Sequence, residues 1–379
     1  MLMTPRDLTR REVLSYTTGA AALLGREAVR AEPPAKPQDA LRIGVISASI
    51  GGKAQKTNGH TWHFAQYLHP ECNLDAFQKY VDPGSASFFR KIVRNPRYAF
   101  DGWPFPDTRL TQVYDADRSA TGPFTEAFPG VQPAKSLEDL VANVDAVWLG
   151  DASGRGEDHY DLIAPALEKG LPCFCDKPIG GTVEGTRRIL DLATKRGAPI
   201  MSSSLFRHEF GMEHALRLRD SGERGKLEYV IASMAGGYSP EGWFVYGQHP
   251  AWAVMTLLGP GVEAVSLYAK EATAHGLVTY ADRKPAEIWY GRPDLVGNYN
   301  QTLVYFEKHR VEFGPAIEGD FWYGHHYEMF RMAETFRRMA KTRKEPIPHQ
   351  EILEVTAIIH AGAKSLKEKS RLVALGEVL

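Results

Sequence analysis

The feature that most constrains this chain is an alternation between residues 41 and 204, where short apolar runs of strand length are separated by segments of helical period. Runs that are apolar throughout belong to strands covered on both faces, and helices carry the chain back between them. The pattern therefore requires a parallel sheet with crossover helices. Residues 41–47 read as the first strand and 59–68 as the helix after it; 110–114 form a second strand, ended by Asp115, and 145–150 a third. Ser136 with Asp139 makes a capping pair for a short helix to residue 144. A helix over 158–169 stops at Gly170, a strand follows at 172–175, a helix over 182–196 stops at Gly197, and 199–204 closes the series.

From residue 206 the pattern changes to runs suited to antiparallel strands, at 227–235, 263–272, 286–290, 299–306 and 310–313, with helical periodicity over 326–339 and 350–366. The expected fold is α/β: a doubly wound parallel sheet over 40–205, then a second α/β domain over 206–379 with a large open, mainly antiparallel sheet. Ahead of both, Arg10-Arg11 and the short apolar run 19–24 read as a twin-arginine export signal over 1–31. Residues 32–39, with three prolines, read as a linker. The apolar run is too short for a bilayer, which needs about 20 residues, so the expectation is an exported, periplasmic protein with no membrane span in the mature chain. Forty-five basic against 46 acidic side chains leave a net charge of -1, which draws neither nucleic acid nor anionic lipid and favours a small neutral partner. Three cysteines build no disulfide framework, and Cys173 and Cys175, one residue apart, make no metal-type pair.

Ligands of open α/β sheets bind at the carboxyl ends of the strands, so the residues there carry the chemistry. After the first strand, a dinucleotide fold places glycines at the positions of Ser47, Ser49 and Gly52, and only the last is kept. An ordinary strand-to-helix loop reads equally well there. Asp115 stands where an acid accepts hydrogen bonds from a ribose diol and repels a 2'-phosphate, favouring NAD over NADP; a turn aspartate is the plainer alternative. Asp176-Lys177-Pro178 closes the strand at 172–175 and puts an ammonium at the crevice edge.

With Asp145-Ala146-Val147-Trp148, His159, Ala166-Leu167-Glu168-Lys169-Gly170-Leu171-Pro172, Asp176-Lys177-Pro178 and Arg207, the stretch from 144 to 207 resembles the Gfo/Idh/MocA family of nucleotide-dependent oxidoreductases. The family's usual Glu-Lys-Pro is here Asp-Lys-Pro. Farther on, Asp220-Ser221-Gly222, His249 with Leu257-Leu258-Gly259, and the tail over 345–373 extend the likeness. The resemblance implies a Rossmann domain holding NAD(P), an open-sheet domain, and a sugar, cyclitol or other polyol between them. It also implies hydride transfer at a carbinol carbon, with Lys177 and His249 near the reacting hydroxyl, and a homo-oligomer.

A lysine there stabilises a developing alkoxide and a histidine takes the proton. Ser47, Ser49, Gly52, Asp115, Asp151, His159, Asp176, Lys177 and Arg207 are the expected cofactor-side residues, although Arg207 also suits a salt bridge between domains. Tyr238, Trp243 and Tyr246 are the expected sugar-stacking residues, although aromatic residues also build cores. No metal is expected; His325 and His326, adjacent on a helix, point about 100° apart.

Two departures stand out. Where family dehydrogenases carry aspartates around the histidine, this chain has Val245 and Trp252. Residues 80–107 look like an insertion that covers the site or meets another subunit. Two rival expectations follow: a relative that keeps its NAD and uses transient oxidation to cleave a glycoside, and a cofactor-free sugar-binding or scaffold protein.

Overall fold

The structure is a computed structural model that describes residues 40–47, 49–50, 53–54, 60–93, 95–151, 154–283, 285–292, 300–314 and 320–379. The expected export signal, the linker and Gly52 lie outside the described residues.

Six parallel strands form the first sheet, in the order β5-β4-β1-β6-β7-β8. They are β1 (Leu41–Ile46), β4 (Thr108–Tyr114), β5 (Gln132–Pro133), β6 (Ala146–Leu149), β7 (Cys173–Cys175) and β8 (Ile200–Met201). The order reverses between β1 and its neighbours β4 and β6, so the crevice opens at the carboxyl ends of those three. Every residue of β6 and β7 is buried, as their unbroken apolar sequences require. Between β1 and the first helix, β2 (Ser49–Ile50) and β3 (Lys53–Ala54) pair antiparallel. The chain thus makes a small hairpin where a dinucleotide fold runs straight from strand to helix.

Helices α1 (His60–Leu68), α2 (Leu74–Tyr80), α3 (Pro83–Ile92), α4 (Thr121–Ala127), α5 (Leu137–Ala142), α6 (His159–Glu168) and α7 (Val183–Arg196) surround this sheet. The expected caps are present. Ser136 Oγ accepts from the Asp139 N–H at 3.2 Å, Thr182 Oγ1 from the Gly185 N–H at 2.9 Å, and Gly197 ends α7 at φ 60°. The start of α1 is fixed to the switch point: Thr61 N–H donates to Gly150 O and Thr61 Oγ1 to Ile46 O. A Cβ on Gly150 would lie 2.4 Å from Thr61 N, so only glycine lets helix and strand end approach this closely.

After α8 (Phe210–Ser221), the second sheet runs β14-β13-β9-β12-β11-β10-β15. Its strands are β9 (Leu227–Ala235), β10 (Val262–Lys270), β11 (Thr273–Tyr280), β12 (Ala286–Gly291), β13 (Asn300–Phe306), β14 (His309–Phe313) and β15 (Val373–Ala374). Only the β9–β12 pair is parallel. The expected strand over 263–272 is β10, which ends at Lys270, and the hairpin partner β11 that follows it was not expected. Glu271, at φ 54°, turns β10 into β11 without the glycine or asparagine that signals such a turn. Helices α9 (Pro240–Tyr246), α10 (Gln248–Leu258), α11 (Phe321–Thr342) and α12 (His349–Lys367) complete the chain. Among the described residues, no helix is long and apolar enough to cross a membrane.

Residues 80–107 pack against α11 of the same chain. They contain α3 and a coil that fasten the first sheet's helices to α11. Phe88 stacks on Trp322 at 5.6 Å, Phe100 on His326 at 4.5 Å, and Phe105 meets Phe330 at 5.3 Å. Arg337 and Lys341 both pair with Asp107. Phe105, only 3% exposed, is buried by this contact. Phe105→Ala should therefore lower the unfolding free energy in urea by about 3 kcal/mol, whereas Tyr268→Ala, at a ring 56% exposed, should stay within about 0.5 kcal/mol. Equally small losses would mean that the insertion rests on the core without building it.

Candidate active site

Asp115 follows β4 and is almost fully enclosed. Its Oδ1 accepts the Asp117 N–H at 2.9 Å, and the Ser47 side chain at the end of β1 also hydrogen-bonds the carboxylate. Oδ2 is buried with no hydrogen-bond partner among the described residues. Burial, against the smaller help of those hydrogen bonds, pushes this carboxyl up to about 7. The structure thus brings Ser47 and Asp115 together, as expected, at the ends of adjacent strands. Ser49 pairs with Ala54 in the hairpin beyond.

At the end of β7, Asp176 is completely buried. Its Oδ2 meets His60 Nδ1 at 2.7 Å, and its Oδ1 accepts the Lys177 N–H at 2.7 Å. Burial pushes the carboxyl up, but His60 and Lys177 more than reverse this and hold it below its usual value. The Lys177 side chain is 3% exposed, its Nζ 5.9 Å from the Tyr246 ring centre. Burial lowers the lysine, partly offset by Asp176.

His249 lies in α10, with its Nδ1 2.7 Å from Ser204 Oγ and its ring against Phe206 and Tyr246. Burial, then the charge of Lys177, then His60 and His325, drive its proton affinity well down. The ring thus holds a proton poorly and faces the Lys177 charge. Tyr246, 45% exposed, stacks between His249 and Tyr290, and Tyr238 meets Tyr290 edge-on at 6.2 Å. From α11, His325 stacks on Phe321 and lies 3.3 Å from Glu328 Oε2; burial pushes it down to about 4.

Three other expected site residues have partners within the protein. Trp243 is 1% exposed, with its indole N–H donated to Ile359 O at 2.9 Å, so its large apolar surface fills the core behind the crevice. Arg207 is bound to Glu351 of α12 at 2.7 Å and reaches Thr256 Oγ1, the interdomain salt bridge that was its alternative. His159 is fully buried, with Nδ1 3.6 Å from Cys175 Sγ, so it packs the loop from inside. Asp151 is fully buried beside it, and Asp151, Asp158 and His159 each bring one possible metal-ligand atom within 4.8 Å of the others.

Sequence reasoning missed His60, Ser204, Tyr290 and His325. His60 had a signal, since it opens the first helix after the first strand at the crevice end of the sheet. Ser204 had none, because nothing in a run of three serines says which one meets a histidine 45 residues on.

The fold defines a dinucleotide-binding type of α/β protein with an appended open-sheet domain, its polar and titratable groups gathered where the two meet. Residues 86–204 match the Gfo/Idh/MocA model, described as an oxidoreductase family with an NAD-binding Rossmann fold. An inositol 2-dehydrogenase of Corynebacterium glutamicum is 31% identical over 121 residues, 31% of this chain and 35% of the relative. Inositol 2-dehydrogenase 2 of Saccharopolyspora erythraea is 27% identical over 192 residues, 49% of this chain and 52% of the relative. The matches thus span a third to a half of these curated relatives.

Among solved structures, a probable dehydrogenase from Thermotoga maritima has a TM-score of 0.66 at 18% identity, covering 89% of this chain and all of the other. A myo-inositol dehydrogenase from Lactobacillus casei, in complex with NAD(H) and myo-inositol, has a TM-score of 0.67 at 14% identity, covering 88% and 96%. These likenesses establish the fold.

Asp115 supplies a direct test of the site's electrostatics. The folded protein keeps this proton up to about pH 7, while the unfolded chain releases it near 3.8. Stability therefore falls as pH rises between those values, and the cost is fully present above pH 7. Asp115→Asn removes that cost, so the ligand-free variant should gain about 1–2 kcal/mol relative to wild type between pH 4 and pH 8. Thermal melts at the two pH values measure this; a gap that does not widen with pH would place the carboxylate in solvent.

Proposed function

We propose that this protein binds NAD at the ends of β1, β4 and β6 and transfers hydride between the nicotinamide and a CH–OH carbon of a sugar or polyol such as an inositol. The observation that carries the reading is that Lys177 Nζ and the His249 ring both face the Tyr246 ring, while farther along the strands' carboxyl-end edge Asp115 holds a buried carboxylate oxygen without a partner among the described residues. The residues present fit the cofactor. Asp115 would take the ribose hydroxyls, and in its ionised form above about pH 7 it would also repel a 2'-phosphate, which favours NAD. When bound, the nicotinamide supplies the hydride acceptor or donor.

This chain's own groups do the rest. Lys177 stabilises the negative charge that develops on the reacting oxygen, and its burial strengthens that interaction. His249 receives the hydroxyl proton on a ring nitrogen, for which the uncharged form is required. Tyr246 and Tyr290 offer ring faces to the C–H side of a sugar. The family match over residues 86–204 and the likeness to inositol 2-dehydrogenases support the same reaction class.

A second reading has its own observation. His325, held by Glu328 and electrically coupled to His249, adds a second proton-carrying group. Plain dehydrogenation has no use for it, and elimination from a transiently oxidised glycoside does. Mixing the protein with NAD and a panel of inositols and sugars, and following the reduced-nicotinamide absorbance, should show net turnover, with NADP binding at least about 10-fold more weakly. Lys177→Ala should lose at least about 100-fold in kcat/KM; an unimpaired variant removes the lysine from the chemistry. NAD retained through purification without net turnover would favour the second reading.

We propose also that residues 1–31 direct export by the twin-arginine route, on the strength of Arg10-Arg11 and the short apolar run after them. Replacing both arginines by lysine should move the protein from the periplasmic to the cytoplasmic fraction; unchanged fractionation would overturn this.

A further inference from the structure

We propose that Ser204 is the positioning residue for His249, filling through its hydroxyl the place that Val245 leaves without a polar group. The inference rests on the reading of His249 as the proton-handling residue, and it concerns a group on the far side of the ring from the reacting atoms.

A histidine that moves a proton at one ring nitrogen needs its other nitrogen held, because that bond sets the ring plane and decides which nitrogen carries hydrogen. Val245 has no polar group, and the indole at Trp252 is 1% exposed within the core. Ser204 comes from a different element, the segment after β8. Its Oγ lies 2.7 Å from His249 Nδ1, and serine and histidine are 1% and 5% exposed, so water does not compete for the bond. The serine is itself held, because its Oγ accepts the Phe206 N–H at 3.1 Å as the cap of the short helical turn Leu205–His208. The Phe206 ring then packs on the imidazole at 5.2 Å. One capped turn thus delivers both the hydrogen bond and the wall that fix the ring.

A hydroxyl also does something a carboxylate does not. An aspartate only accepts, which ties the hydrogen to Nδ1 and stabilises the imidazolium. Ser204 has one lone pair occupied by Phe206, and keeps both a hydrogen to donate and a second lone pair to accept. It holds the ring in one place while permitting either neutral tautomer, and it adds no negative charge. The groups facing His249 are Lys177 from the end of β7, His60 from α1 and His325 from α11, and each opposes a positive charge on it. With serine as its support, no carboxylate draws His249 toward its charged form.

The test uses the full-length protein labelled with 15N-histidine, with His249 assigned by comparison with His249→Asn. In wild type, both ring nitrogens of His249 should report a neutral ring at pH 7, with the Nδ1 shift showing its hydrogen bond to Ser204. Ser204→Ala should change the His249 nitrogen shifts and lower kcat about 10- to 100-fold with KM little altered, short of the 10²–10⁴ or so that a general base contributes. Ser204→Thr, which keeps the hydroxyl, should restore most of both. Ser204→Asp should raise the His249 pKa and bring a new acidic limb into the pH profile.

A wild-type His249 whose Nδ1 shift shows no hydrogen bond overturns the proposal even if the alanine variant does not fold. So does a folded Ser204→Ala protein with unchanged His249 shifts. If the shifts behave as expected while no sugar or polyol is turned over, the positioning stands and the proposed reaction is what fails.

Discussion

A wholly enclosed carboxylate organises the crevice. Removed from water, an ion like Asp176 costs several kcal/mol unless hydrogen bonds and opposite charge replace its solvation. The chain supplies them from two directions, with His60 of α1 on one oxygen and the Lys177 main chain on the other. Because His60 opens a helix and Asp176 closes a strand, satisfying this one group fixes α1 against β7. The close approach at Gly150 fixes the same helix against β6. The position of the Lys177 ammonium is a consequence of those contacts, since its backbone is part of the hydrogen-bonded unit.

Most of the first sheet was legible because its signals are local. An unbroken apolar run such as Ala146-Val147-Trp148-Leu149 has few ways to be buried, and Ser136, Thr182 and Gly197 mark helix ends by chemistry that acts within four residues. The carboxyl-end rule then placed Ser47, Asp115, Asp176 and Lys177 at one edge. What the sequence did not show was contact between elements distant along the chain. Arg207 faces a carboxylate 144 residues away and Trp243 a carbonyl 116 residues away. Either residue type suits a ligand as well as a core, and only the tertiary fold decides between them. The turn at Glu271 was illegible for a different reason, since a glutamate at positive φ is held there by the strands on either side and not by its own preference.

The insertion illustrates how the two sheets become one framework. Its aromatic rings and Asp107 bind α11, a helix that follows the second sheet, while Arg207 and Glu351 join the end of the first sheet to α12. The two attachments lie at different places on the boundary, so rotation about one is opposed by the other. That matters for chemistry because His249 and His325 come from the second half of the chain and Lys177 and His60 from the first. A hydride or proton transfer tolerates little error in placement, and a shift of about 1 Å can cost 10²-fold.

The charge pattern of the crevice adds one more step. Lys177 and His249 are buried near each other, and the low-dielectric surroundings penalise two cations far more than one. The lysine begins with much the higher proton affinity and has Asp176 to oppose the lowering by burial, whereas Lys177, His60 and His325 all lower the histidine further. One site thereby holds an acid form and a base form at the same pH, which the proposed reaction needs: a positive group to meet the developing alkoxide and an empty nitrogen to take the proton. An aspartate next to His249 would weaken that division by drawing the ring toward its charged form. The replacement of a carboxylate by Val245 and a hydroxyl from Ser204 fits a site in which the ammonium alone carries the positive charge.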